Sequence, residues 1–212
     1  MKNKSELMSN NRLPKSYFRS HPLQKMSFAQ MAFFRMTAFD NAAVTDALVK
    51  HDKATELFSD GRLDEIRKSV EEIKSLNNAQ AVIDRMRKER EGFCHGALHD
   101  RALELEDDIM PLLLNRYLTS GMDRFIEIAA YIFADADIKY SQKLFNAYDN
   151  IRNPYAQAQS CIVFGIKKMY ETIPLLVRET ERLKRIKDPD SKSDLSQAPL
   201  LALYVLHNLP LM

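Results

Sequence analysis

Leu63, Ile66, Val70, Ile73 and Leu76 recur at steps of three and four. That spacing places one apolar stripe along an amphipathic helix. "SDGRLDE" supplies the turn and start before it, and Asn77-Asn78 ends it. A second helix is predicted from Ala79, with Val82, Ile83 and Met86 inward and Arg85, Arg87, Lys88 and Arg90 outward. Upstream, Ser27 is a fitting N-cap. Phe28, Met31, Phe34 and Phe39, then Val44, Leu48 and Val49, keep helical spacing with a break near Asp40-Asn41. From Gly92 onward the predicted helices are short and evenly spaced, at 93–106, 109–118, 123–134, 138–149, 154–168 and 171–186. A polar loop, "IKDPDSKSD", separates them from a last helix at 196–209. No stretch alternates with period two over a strand's length, so the expected class is all-α.

The even spacing conceals a repeat. Moved back by 33 residues, Asn153-Pro154 falls on Ser120-Gly121, Gln157 on Arg124, Ile162-Val163 on Ala129-Ala130, and Val177 on Leu144. Each copy reads as a helix, a turn and a second helix. Residues 93–118 form a degenerate third copy, with Ile109-Met110-Pro111 expected to open its second helix. One helix pair cannot bury its own apolar face, but a pile of pairs can, which is the logic of an α-solenoid.

The best copy carries Asn153-Pro154, Ala156-Gln157, Phe164-Gly165 and Ile173-Pro174. This resembles the HEAT-like repeat of bilin-lyase-type proteins. There an Asp/Asn-Pro turn precedes a Val-Arg pair, a small-residue-rich helix ends in Leu-Gly, and Ile/Ala-Pro opens the second helix. Gln157 departs from that pattern, while the preceding unit keeps Arg124 but lacks the Gly and the Pro. The resemblance covers residues 93–187. It implies an α-solenoid of HEAT-like helix pairs, wound as a right-handed superhelix, after an N-terminal helical section. It also implies a non-enzymatic interaction protein (adaptor, assembly factor or inhibitor) that grips a partner protein on its concave face. The family also contains nucleic-acid binders, including DNA-glycosylase-like members with Trp-rich basic faces around a catalytic Asp. A chain with no Trp and a net charge of +2 fits those less well. Bilin-lyase chemistry is implied by resemblance alone, and no chromophore residue carries over. Independently of the family, Pro154 and Pro174 suit first helical turns, and Gly165 suits a close helix–helix approach.

Composition changes the picture little. Gly is scarce at 5, and the 45% apolar and 28% charged fractions are globular values. Charge is uneven, with +5 over residues 1–40 and −5 over 101–137. The expected organisation is a flexible basic arm at 1–24, a helical section at 25–91 and the repeat section at 92–212. Cys94 and Cys161 lie far apart in apolar helical contexts and read as buried free thiols. No signal-peptide h-region or membrane-length apolar run occurs, so a cytoplasmic location without membrane contact is expected.

Candidate chemistry is sparse. His95 and His99 share a helical face beside Cys94, but Gly96 stands where a metalloprotease helix needs Glu. Half-exposed histidines and no metal are expected. Glu104, Glu106, Asp107 and Asp108 precede the helix expected at Ile109 and suit the positive end of its dipole. Asp137 reads as the N-cap of the helix at Ile138. The basic runs 85–90 and 178–187 read as solvated faces or as contacts for an acidic partner or phosphates. The binding residues proposed for the concave face are Arg116, Tyr117, Arg124, Tyr140, Lys143, Tyr148 and Arg152, since Tyr and Arg anchor interfaces. The competing reading of the tyrosines has rings in the core and hydroxyls at its edge. No cofactor is expected.

Overall fold

A computed structural model describes residues 12–25, 60–186 and 194–211. Among these, every regular element is helical. The elements are α1 (Lys15–Ser20), α2 (Asp60–Lys74), α3 (Ala79–Lys88), α4 (His95–Glu104), α5 (Glu106–Thr119), α6 (Asp123–Asp135), α7 (Ile138–Asn146), α8 (Pro154–Ile166), α9 (Ile173–Leu183) and α10 (Gln197–Leu206). Three 3₁₀ turns, Gly92–Cys94, Tyr148–Asn150 and Tyr170–Thr172, precede or follow them. The helix expected after Ser27, residues 1–11 of the arm and most of the 186–194 loop lie outside the described residues.

Boundaries follow local chemistry. Asn78 caps α3 by accepting from Ala81 N–H, Asp137 caps α7 through Lys139 N–H, and Asn153 caps α8 through Tyr155 N–H. Each supplies an acceptor that the first turn lacks. Pro154 and Pro174 sit in the first turns of α8 and α9. Pro111 does not open its helix. Glu106, Asp107 and Asp108 fill the first turn of α5 and draw its start forward, leaving Pro111 inside. The helix expected over 138–149 stops at Asn146, and the one expected from 171 begins at Ile173. In both places a 3₁₀ turn replaces α-helical turns.

Alternate helices pack in succession. α2 meets α4, α4 meets α6, α6 meets α8, and α8 meets α10. Beside this row, α3 packs on α5, and α9 closes against α10. The buried side chains from Phe18 to Leu206 form one connected core. Phe133 meets Tyr117 edge-on at 5.6 Å, and Phe164 meets Phe145 at 5.7 Å. Gly165 marks the tightest junction. A Cβ there would lie 2.8 Å from the Cα of Ala202, so the glycine brings α8 against α10, not against its hairpin mate α9.

Residues 12–25 are seated rather than loose. Phe18 and Leu23 are buried, and Phe18 packs at 5.0 Å on both Tyr204 and His207. The basic composition suggested a solvated arm, but two apolar residues suffice to fasten it.

Five hydrogen bonds between elements span 31 to 33 residues, among others that span 25 to 43. Asn153 Nδ2 donates to Ser120 O and Tyr140 Oη to Asp107, each spanning 33 residues. Lys139 to Asp107 spans 32, Lys167 to Ala136 O spans 31, and Asp137 N–H to Glu106 spans 31.

Candidate functional site

The seven proposed binding residues divide by exposure. Tyr117, Tyr140 and Tyr148 are buried, with rings in the core. Tyr117 Oη donates to Ala156 O at 2.7 Å and lies 3.2 Å from Ser160 Oγ. Tyr140 Oη donates to Asp107. Tyr148 Oη lies 3.6 Å from Cys161 Sγ. Burial pushes the phenols of Tyr117 and Tyr148 well up. A partner cannot reach these rings, so a concave face lined by them is corrected. The hydroxyls tie helices together: Tyr117 joins α5 to α8, Tyr140 joins α7 to α5, and Tyr155 joins α8 to α6 by donating to Glu127.

Arg116, Arg124, Lys143 and Arg152 are exposed. Arg124 Nη1 donates to Arg90 O at 3.1 Å, which holds that guanidinium at the α3–α6 edge. The Lys143 ammonium lies 5.1 Å from the centroid of the Tyr140 ring, and Lys139 lies 4.8 Å from it. Lys139 also pairs with Asp107 at 2.9 Å. Hydrogen bonds from Tyr140 and Lys139 hold the Asp107 carboxyl below the usual carboxylate range. So α5 and α7 meet through one charged cluster, whose acids were expected only to serve the α5 dipole.

A second network went unread in the sequence. Glu179 is 1% exposed, yet it carries a carboxylate. Arg178 Nε donates to it at 3.0 Å and Arg182 Nε at 2.7 Å. Arg178 reaches on to Asp149 at 2.9 Å, and Arg182 donates to Gln157 Oε1 at 2.5 Å. Gln157 in turn donates to Ile151 O at 2.9 Å. Two cations of the 178–187 run are therefore tied to a buried acid. Paired guanidiniums are what makes that burial tolerable. The sequence signal was the spacing of Arg178, Glu179 and Arg182 on one helix.

Of the two histidines, His95 is half-buried as expected, and His99 is not. His99 is buried, with Nε2 2.8 Å from Asp135 and Nδ1 3.1 Å from Asp100. Burial pulls its pKa down, but the two carboxylates outweigh that and raise it above the ordinary value. His95 turns a buried Nε2 that has no hydrogen-bond partner, and burial lowers its pKa. The described residues contain no group of three ligands able to hold a metal.

Neither thiol is poised to react. Burial pushes Cys161 up to about 12 and also raises Cys94. Among the described residues no helix is long and apolar enough to cross a membrane. The chain matches no family model, no curated protein and no solved structure.

Proposed function

We propose that this protein is a non-enzymatic α-solenoid of HEAT-like helix pairs that binds a macromolecular partner, a protein, on the face lined by α5, α7 and α9. The observation that supports the reading is a group of bonds between elements that span 31 to 33 residues, close to the 33-residue step of the sequence pattern, alongside others that span 25 to 43. The alternate packing of α2, α4, α6, α8 and α10 agrees with it. Arg116 and Lys143 are the cations on this face that no ion pair among the described residues occupies. They are therefore the proposed contacts, and the partner surface they suit is acidic.

The test is affinity capture from the native host with the wild-type chain and with Arg116→Glu/Lys143→Glu. One dominant protein retained by the first and lost by the second supports the reading. A mobility shift of duplex nucleic acid that fades steeply with salt would replace it with a phosphate-binding function.

A further inference from the structure

Side chains of α10 and His207 take hold of the main chain of residues 12–25. Tyr204 Oη lies 3.2 Å from the carbonyls of both Phe18 and His21. His207 Nε2 accepts from Leu13 N–H at 2.9 Å, and Gln197 Oε1 accepts from Gln24 N–H at 2.9 Å. Only Phe18 and Leu23 are buried, while Arg12, Lys15, Arg19 and Lys25 face water. His21 Nε2 pairs with Glu181 on α9 at 2.8 Å. Among the described residues, the hydrogen bonds and ring contacts that the segment makes outside itself all go to α9, to α10 or to His207 at its end.

These are the features of a peptide and its receptor. Main-chain recognition plus two side-chain anchors is how extended ligands are commonly held. A six-residue helix such as α1 is too short to persist alone, so its folding is coupled to docking. The segment joins α2 through residues 26–59. That connection is 34 residues of chain.

We infer that the α9–α10 face is a peptide-docking site that accepts residues 12–25 of a second copy of this chain in place of its own. The inference stands apart from the partner face on α5, α7 and α9. Exchange would make every contact that the cis arrangement makes, so protein concentration set against the effective concentration of the tethered segment decides between them.

The experiment uses a fluorescent peptide of residues 12–25 and the full chain carrying Phe18→Ala, which weakens the resident segment. The variant should bind the peptide at least tenfold more tightly than the wild-type chain, whose own segment competes. A peptide carrying Phe18→Ala should lose that binding tenfold or more, and adding Tyr204→Phe to the chain should weaken it. A variant with unchanged circular dichroism that binds neither peptide, or both equally, overturns the inference. Should Phe18→Ala not fold, wild-type chains labelled as donor and acceptor give the same answer. Energy transfer rising with concentration and suppressed by unlabelled peptide supports exchange, and no transfer overturns it.

Discussion

α2 and α10 stand at opposite ends of the described row, and they meet their surroundings in opposite ways. α2 buries Ile66, Val70 and Ile73 and gives the rest of its circumference to charge. Its i,i+3 pairs, Arg62–Glu65, Asp64–Arg67 and Glu71–Lys74, lie in solvent and stabilise little. α10 has no polar face to give. All its residues but Val205 are buried, under α8, α9 and the N-terminal segment. An amphipathic helix can end a stack by itself, whereas a helix apolar on every side must be covered on every side. The chain meets that requirement with its own first residues.

The largest effect should come from breaking the covered end. Gly165→Val places side-chain carbon against the backbone of Ala202, where a flexible neighbour cannot yield. Overpacking of this kind costs about 3 kcal/mol. For a chain of this size that is a fall in Tm of roughly 6–12 °C, readable by calorimetry. Gly121→Val, at a glycine with open space around it, is the control and should cost less than about 0.5 kcal/mol. Equal losses at the two glycines would mean that the α8–α10 approach is not tight.

The α10 case also shows what the sequence discloses. "APLLALYVL" is apolar on all faces, so a helix covered on every side was legible there. Which segment supplies the cover was not, because Phe18 and Leu23 are two apolar residues in a basic stretch with no periodicity. Asn153-Pro154 and Gly165 suggested a 33-residue step in the sequence, and five of the bonds between elements span 31 to 33 residues. For the tyrosines the sequence offered two readings, a partner face or rings in the core, and their burial decides for the core. Composition cannot tell whether a ring at helical spacing faces a partner or the next helix pair. Glu179 was hidden by the same limit, since its burial depends on Arg178 and Arg182 closing over it from α9 and on Gln157 from α8.

Effects of about 1 kcal/mol should separate the joints of the row from its ends. Asp137→Ala removes the acceptor that caps α7 and should cost about 1 kcal/mol by chemical denaturation. Tyr117→Phe removes a buried hydroxyl but leaves Ala156 O its bond from Ser160, so about 1 kcal/mol is the upper end there. A loss of several kcal/mol from Tyr117→Phe would show that the bond between pairs, rather than the ring, holds α5 on α8.

The smallest effect is one of pH, and its sign differs along the row. In α4, the carboxylates of Asp135 and Asp100 raise the pKa of His99 despite its burial. The folded state then holds a proton that the unfolded state releases above about 6.5. Stability from His99 is complete below that pH and is lost as pH rises through the folded value. At the end of α10 the sign reverses. Burial lowers the pKa of His207, and Arg12 lowers it further, while Leu13 N–H needs an unprotonated Nε2. Stability from His207 is complete above about 6.5 and is lost as pH falls toward the folded value. Thermal unfolding across pH 5 to 8 (about one and a half units either side of an ordinary histidine) should therefore trace a dome. His99→Gln should flatten its alkaline side and His207→Gln its acid side. If both substitutions flatten the same side, one of the two rings is not held in the protonation state that its hydrogen bonds require.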